Sequence, residues 1–239
     1  MNVEWVDILV ANGVLALGSV LQAATGLGAG LVVVPLLALI SLEFVPGPVI
    51  LAALALAWLM AWQGRTVISY TGMPLLLGGL LFGMIMGTSV LSQMSLERLG
   101  VLFGVLILLA ITISVSGLRV RLTPATVSVA GVLSGFMGAT SAIGAPVLAL
   151  LYQHQTGPVL RATLGLLYFV SSIVMLALLH LAGRFGNNEM ILGLTLLPGV
   201  AVGYLVAGYL SPCIDRGYSR IAVLLISSIS AGLLIFRSI

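Results

Sequence analysis

Apolar residues fill this chain in long runs, separated by short polar or Pro/Gly-containing breaks. A membrane-spanning helix needs about 20 apolar residues, within a range of about 17–25. By that measure the pattern falls into runs at 7–40, 47–63, 70–91, 98–117, 125–152, 158–182, 190–211 and 219–236. The runs 7–40 and 125–152 are too long for one straight crossing. Each is interrupted by small residues, ATGLGAG at 24–30 and GATSAIG at 138–144.

The pattern also repeats. PLLAL from Pro35 matches PVLAL from Pro146, and the GPV at Gly47 matches the GPV at Gly157. Gly79 and Gly83 match Gly199 and Gly203, and Arg98 in RLGVLFG matches Arg220 in RIAVLLI. These matches keep their order along the chain with one short insertion between them. They divide it into two structural repeats, 1–120 and 121–239, a recurrent plan among transporters.

Composition turns long apolar runs into a membrane protein. The 239 residues are 61% hydrophobic and 6% charged, against about 25% charged in soluble domains. Such a chain cannot cover its surface with polar groups, so its solvent is lipid. The net charge of +3 does not point to nucleic acid. Every basic residue is an Arg, and the arginines sit between apolar runs as topology signals do. The N-terminus, MNVEWVDILV, has no basic region before its apolar run and reads as uncleaved.

The arginines also bear on topology. If every run crosses, they divide almost evenly between the two sides. If each broken run is instead a re-entrant hairpin, Arg65, Arg119, Arg121, Arg161, Arg216 and Arg220 share one side. Only Arg98, Arg184 and Arg237 remain on the other, where Glu4, Asp7, Glu43, Glu97 and Glu189 also lie. The positive-inside rule then makes the Arg-rich face cytoplasmic, with both termini outside, and the halves inverted. The predicted fold is therefore an all-α polytopic membrane protein. It has two inverted repeats of about four segments, the first of each broken. A tilted, kinked crossing at each broken run is the competing arrangement.

The two breaks carry the candidate chemistry. The first contains Gln22, Thr25, Gly26, Gly28 and Gly30, ahead of Pro35. The second contains Gly138, Thr140, Ser141 and Gly144, ahead of Pro146. Irregular backbone at membrane depth exposes N–H and C=O groups and survives only where protein or water satisfies them. A helix that restarts there presents free N–H groups and a positive dipole end to an anion. The hydroxyls of Thr25, Thr140 and Ser141 offer further donors. For any single glycine here, close helix packing is the plainer role. Polar residues and a proline in both halves favour a binding role for the pair of breaks.

Arg161, one turn inside the run after Pro158, reads either as a snorkelling cation or as an electrostatic attractor at the inner mouth. Trp58, Trp62, Tyr70 and Tyr168 read as interface-belt or packing residues. No carboxylate lies in the middle of a run, which argues against a proton-coupled pump. No Walker loop or hydrolytic constellation occurs, and the histidines are isolated. No cofactor and no metal site is expected. Two other classes stay open: a membrane-embedded enzyme or thiol protein using Cys213, and a non-transporting scaffold subunit.

The stretches GLGAGLVVVPLL (26–37), GATSAIGAPVLALL (138–151) and VLRATLGLLYF (159–169) resemble motifs of the sulfite exporter TauE/SafE family. Ala29 and Ala145 stand where glycine is common in that pattern. The resemblance covers essentially the whole chain. It implies transport of small sulfur-containing anions, such as sulfite or organosulfonates, across the bacterial plasma membrane. It also places Thr25, Gly28 and Gly30 in the first motif, Thr140, Ser141 and Gly144 in the second, and Arg161 and Thr163 in the third. The expected partners are a small anion and the bilayer. A homo-oligomer is left open.

Overall fold

The computed structural model describes residues 3–26, 29–94, 96–116, 120–152 and 154–214. Gly28, Arg119, Arg216, Arg220, Arg237 and the run 219–236 lie outside the described residues. All regular structure among the described residues is helical. The order is α1 (Trp5–Thr25), α2 (Gly30–Ile40), a 3-10 turn (Leu42–Phe44), α3 (Gly47–Gln63), α4 (Met73–Gln93) and α5 (Leu96–Val115) in the first half. The second half follows with α6 (Pro124–Ser141), α7 (Ala145–Leu151), α8 (Gly157–Leu181), α9 (Asn187–Thr195) and α10 (Leu197–Ile214).

The sequence sets where these helices start. Proline occupies the first turn of α3, α4, α6, α7 and α8, where its missing N–H costs nothing and its fixed φ suits the helix. Thr123 caps α6, its Oγ1 accepting from Thr126 N–H at 3.2 Å, while Thr126 Oγ1 accepts from Thr123 N–H at 2.9 Å. Among the described residues, four stretches are long and apolar enough to cross a bilayer: Trp5–Thr25, Met73–Gln93, Gly157–Leu181 and Asn187–Tyr209. Their outer faces are apolar as well as their inner ones. Phe82 on α4 and Leu205 on α10 are exposed, the surface expected of a multi-pass protein in lipid.

The two halves interlock. The first helix of each half packs chiefly on a late helix of the other: α1 lies on α10, and α6 lies on α4. Between them α3 packs on α8. The matched glycines of the sequence pattern make both of these contacts. A methyl group at Gly79 would lie 2.7 Å from Ser128 O of α6, and Gly83 approaches the Val132 carbonyl closer still. Gly199 and Gly203 approach the Asn12 and Ala16 carbonyls of α1 in the same way. With no side chain at these positions the helix backbones touch, which is how membrane helices associate without a hydrophobic driving force.

The run 190–211, uninterrupted in its hydrophobicity, is split at Leu196 into α9 and α10. Pro198 is the cause, because it lacks an N–H and its ring crowds the preceding turn. Asn12 of α1 repairs the opening. Its Nδ2 donates to Thr195 O at 2.9 Å and its Oδ1 accepts from Gly199 N–H at 2.7 Å. The amide thus stands in for the lost Gly199–Thr195 helical bond.

Candidate functional site

Both interrupted runs do break, and the chain folds back at each. The first break lies between α1, which stays helical through Thr25, and α2, which begins at Gly30. Gly26 ends α1 in the left-handed region at φ 75°, its N–H donating to Gln22 O at 2.7 Å. The chain then reverses so that Val33 of α2 touches Gly18 of α1. In an unbroken helix those residues would be about 22 Å apart at about 1.5 Å per residue. Gln22 Oε1 accepts from Ala29 N–H at 3.0 Å, so the side chain caps the start of α2. Ala29 has φ −70°, an ordinary value that requires no glycine. Thr25 Oγ1 donates to Leu21 O at 2.7 Å.

The second break is shorter than the glycine pattern suggests. Gly138, Thr140 and Ser141 remain in α6, and only residues 142–144 leave helical geometry. Ala142, not a glycine, takes the left-handed conformation at φ 58°. Thr140 Oγ1 donates to Phe136 O at 2.7 Å and Ser141 Oγ to Met137 O at 2.8 Å. Such bonds back into the preceding turn satisfy the hydroxyls within the helix, and they often bend it. The chain again folds back, with Ser134 Oγ donating to Gly144 O at 2.8 Å.

The two breaks meet. A methyl at Gly30 would lie 2.9 Å from Ala142 O. Beside this junction a cavity of about 100 Å³ is lined by Gln22, Ala29 and Gly30 around the first break and by Gly138, Ala142 and Gly144 around the second. That space exceeds what a single water needs. Apolar side chains including Val34, Ile50, Leu56 and Leu148 make most of the remaining wall.

Arg161 is engaged by the backbone at the end of α1. Its Nη1 donates to Ala24 O at 2.9 Å, capping the last turn of α1 from α8. A cation there answers the exposed carbonyls and the negative end of the helix dipole. It stands against Gly26, where a side chain would press on its Cγ at 3.1 Å. It therefore braces the first break and is not among the residues lining the cavity. Thr163 is fully buried, and its Oγ1 accepts from Ser69 N–H at 3.0 Å, tying α8 to the segment before α4.

Tyr168, which the pattern assigns to an interface or to packing, lines the cavity together with Ser171, Ser172 and Met175 of α8. Trp58, Trp62 and Tyr70 are exposed, as membrane-interface residues are. The polar pair Ser171–Ser172 within an apolar 25-residue helix is the sequence signal that marks this wall.

No cluster of His, Cys, Asp or Glu among the described residues could hold a metal ion. No curated protein and no solved structure matches the chain. The family model described as Sulfite exporter TauE/SafE matches residues 11–234. Matched over nearly its whole length and built of helices suited to a bilayer, the chain belongs to the sulfite exporter TauE/SafE family, a family of membrane transporters for sulfur anions.

Proposed function

We propose that the chain exports small sulfur-containing anions, sulfite or organosulfonates, and holds them between its two broken helices. The observation that carries this reading is the cavity with residues of both breaks in its wall. Gln22 and Gly30 line it from one half and Gly138 and Gly144 from the other, while Thr25, Gly26, Thr140 and Ser141 belong to the same motifs but are not in its wall. Gly28 belongs to the same motif, and Arg161 and Thr163 position the helices around it. The hydroxyls of Thr140 and Ser141 would have to turn away from their backbone partners to donate to an anion.

In this reading residues 1–120 and 121–239 are inverted repeats, and the protein sits in the bacterial plasma membrane with both termini outside. The crosswise packing of α1 on α10 and α6 on α4 supports the repeats. The lengths of α2 and α7, about 16 Å and 10 Å at about 1.5 Å per residue, are too short to cross and support re-entrant hairpins. Discontinuous helices meeting at a repeat interface are a common way to build a midplane substrate site.

A thermal-shift screen of the purified protein against sulfite, organosulfonates, sulfate and chloride tests the substrate class. Stabilisation by sulfite or a sulfonate, beyond that by chloride at equal ionic strength, is expected. Equal response to every anion would contradict the assignment.

A further inference from the structure

The cavity between the breaks has a polar feature that the broken helices do not supply. Tyr168 Oη and Ser171 Oγ are both buried and have no hydrogen-bond partner in the protein. Both residues belong to α8 and line the cavity. Ser171 is 8% exposed, so its hydroxyl is not simply turned out to solvent. A buried hydroxyl without a partner is costly and uncommon. Thr88 Oγ1 and Tyr152 Oη are also buried without a partner, but away from this cavity. Tyr168 and Ser171 differ in lying one turn apart on a helix that lines it, where they can serve something that enters.

Arg161 donates to the Ala24 carbonyl and Ser134 to the Gly144 carbonyl, while Gln22 Oε1 accepts from the Ala29 N–H. Ser19, Ser172 and the Gln22 amide add further neutral polar groups to the wall. Among the described residues lining the cavity, none is charged. The cost of stripping water from an ion grows with the square of its charge. A site of neutral hydroxyls and apolar walls can therefore accept one negative charge far more readily than two.

We infer that Tyr168 and Ser171 donate the hydrogen bonds that hold the transported anion's oxygens, and that the site selects a singly charged head, a sulfonate or hydrogensulfite, over a doubly charged one. This rests on the transporter reading above and adds to it the donors and the charge state of the ligand.

Methanesulfonate and sulfate provide the test, because both are tetrahedral and similar in size while their charges differ. Their affinities for the purified protein, and for Tyr168→Phe and Ser171→Ala, are measured by titration calorimetry at constant ionic strength. Methanesulfonate should bind the unmodified protein at least about tenfold more tightly than sulfate. Each variant should weaken methanesulfonate binding by about tenfold, the usual effect of losing a hydrogen bond to a charged group. Each should also melt, without ligand, at the same temperature or higher, since it removes a buried unpartnered hydroxyl. Sulfate binding as tightly as methanesulfonate overturns the inference. So do variants that bind like the unmodified protein, or that lose affinity and melting temperature together. In those cases binding by the unmodified protein leaves the transporter reading standing. No binding of either anion overturns both.

Discussion

Gly30 and Ala142 bring the two halves of the protein into direct contact at their breaks, with room for no more than a hydrogen at the Gly30 α-carbon. A methyl there would sit 2.9 Å from the Ala142 carbonyl oxygen, a backbone atom that cannot swing aside. Gly30→Ala should therefore lower stability by about 1–3 kcal/mol, the usual cost of overpacking. At Gly78 in α4 a methyl would meet nothing within 4 Å. Gly78→Ala should raise stability by up to about 1 kcal/mol through helix propensity. Thermal unfolding in detergent micelles reads both, and equal effects at the two sites would contradict the junction.

Ala142 itself holds a left-handed backbone at φ 58°, a conformation that glycine adopts without penalty. Ala142→Gly should stabilise the folded protein by about 0.5–1 kcal/mol in the same assay, by relieving that strain. A fall in melting temperature would mean that the Ala142 methyl contributes more to packing at the junction than its backbone strain costs.

Asn12 is the bridge at the Pro198 kink. Asn12→Leu leaves the Thr195 carbonyl and the Gly199 N–H without their partner. Each unsatisfied group costs about 1–3 kcal/mol, so the variant should be among the least stable of single changes in α1. Hydrogen exchange should show the Gly199 amide losing protection first. Unchanged protection at Gly199 would contradict the bridge.

Arg161 bonds the Ala24 carbonyl across the first break. Arg161→Met should cost about 1.5–3 kcal/mol, the range for hydrogen bonds to charged groups. Arg161→Lys should restore part of the loss, because an ammonium supplies a donor but not the planar fork. A guanidinium acting only as an attractor for incoming anions would leave stability unchanged and alter the salt dependence of flux instead.

The breaks are legible in the sequence because glycine, proline and polar residues clustered within an apolar run disfavour a continuous helix there. Their extents are not. Thr140 and Ser141 stay helical, with their hydroxyls satisfied by the Phe136 and Met137 carbonyls, which a glycine count does not register. The matched glycines Gly79, Gly83, Gly199 and Gly203 are visible as a repeat, but their partners are not. Which helix a small-residue stripe seats is decided by tertiary packing. Asn12 carries no local signal of its function, since the group it serves is 183 residues away. Tyr168 reads as an interface-belt or packing residue because aromatic residues in membrane helices usually are. Only the fold places it in the wall of the cavity between the breaks.

Passage of anions through the cavity between the two breaks is tested most directly by efflux of methanesulfonate from proteoliposomes under an imposed potential, negative inside. Each 100 mV contributes about 2.3 kcal/mol per charge, and no carboxylate in the middle of an apolar run suggests a coupled proton. Efflux should rise with the potential, persist without an ion gradient, and fall sharply in Gly30→Val, whose side chain would crowd the junction. Flux that ignores the potential, or that survives in Gly30→Val at the unmodified rate, would contradict that route.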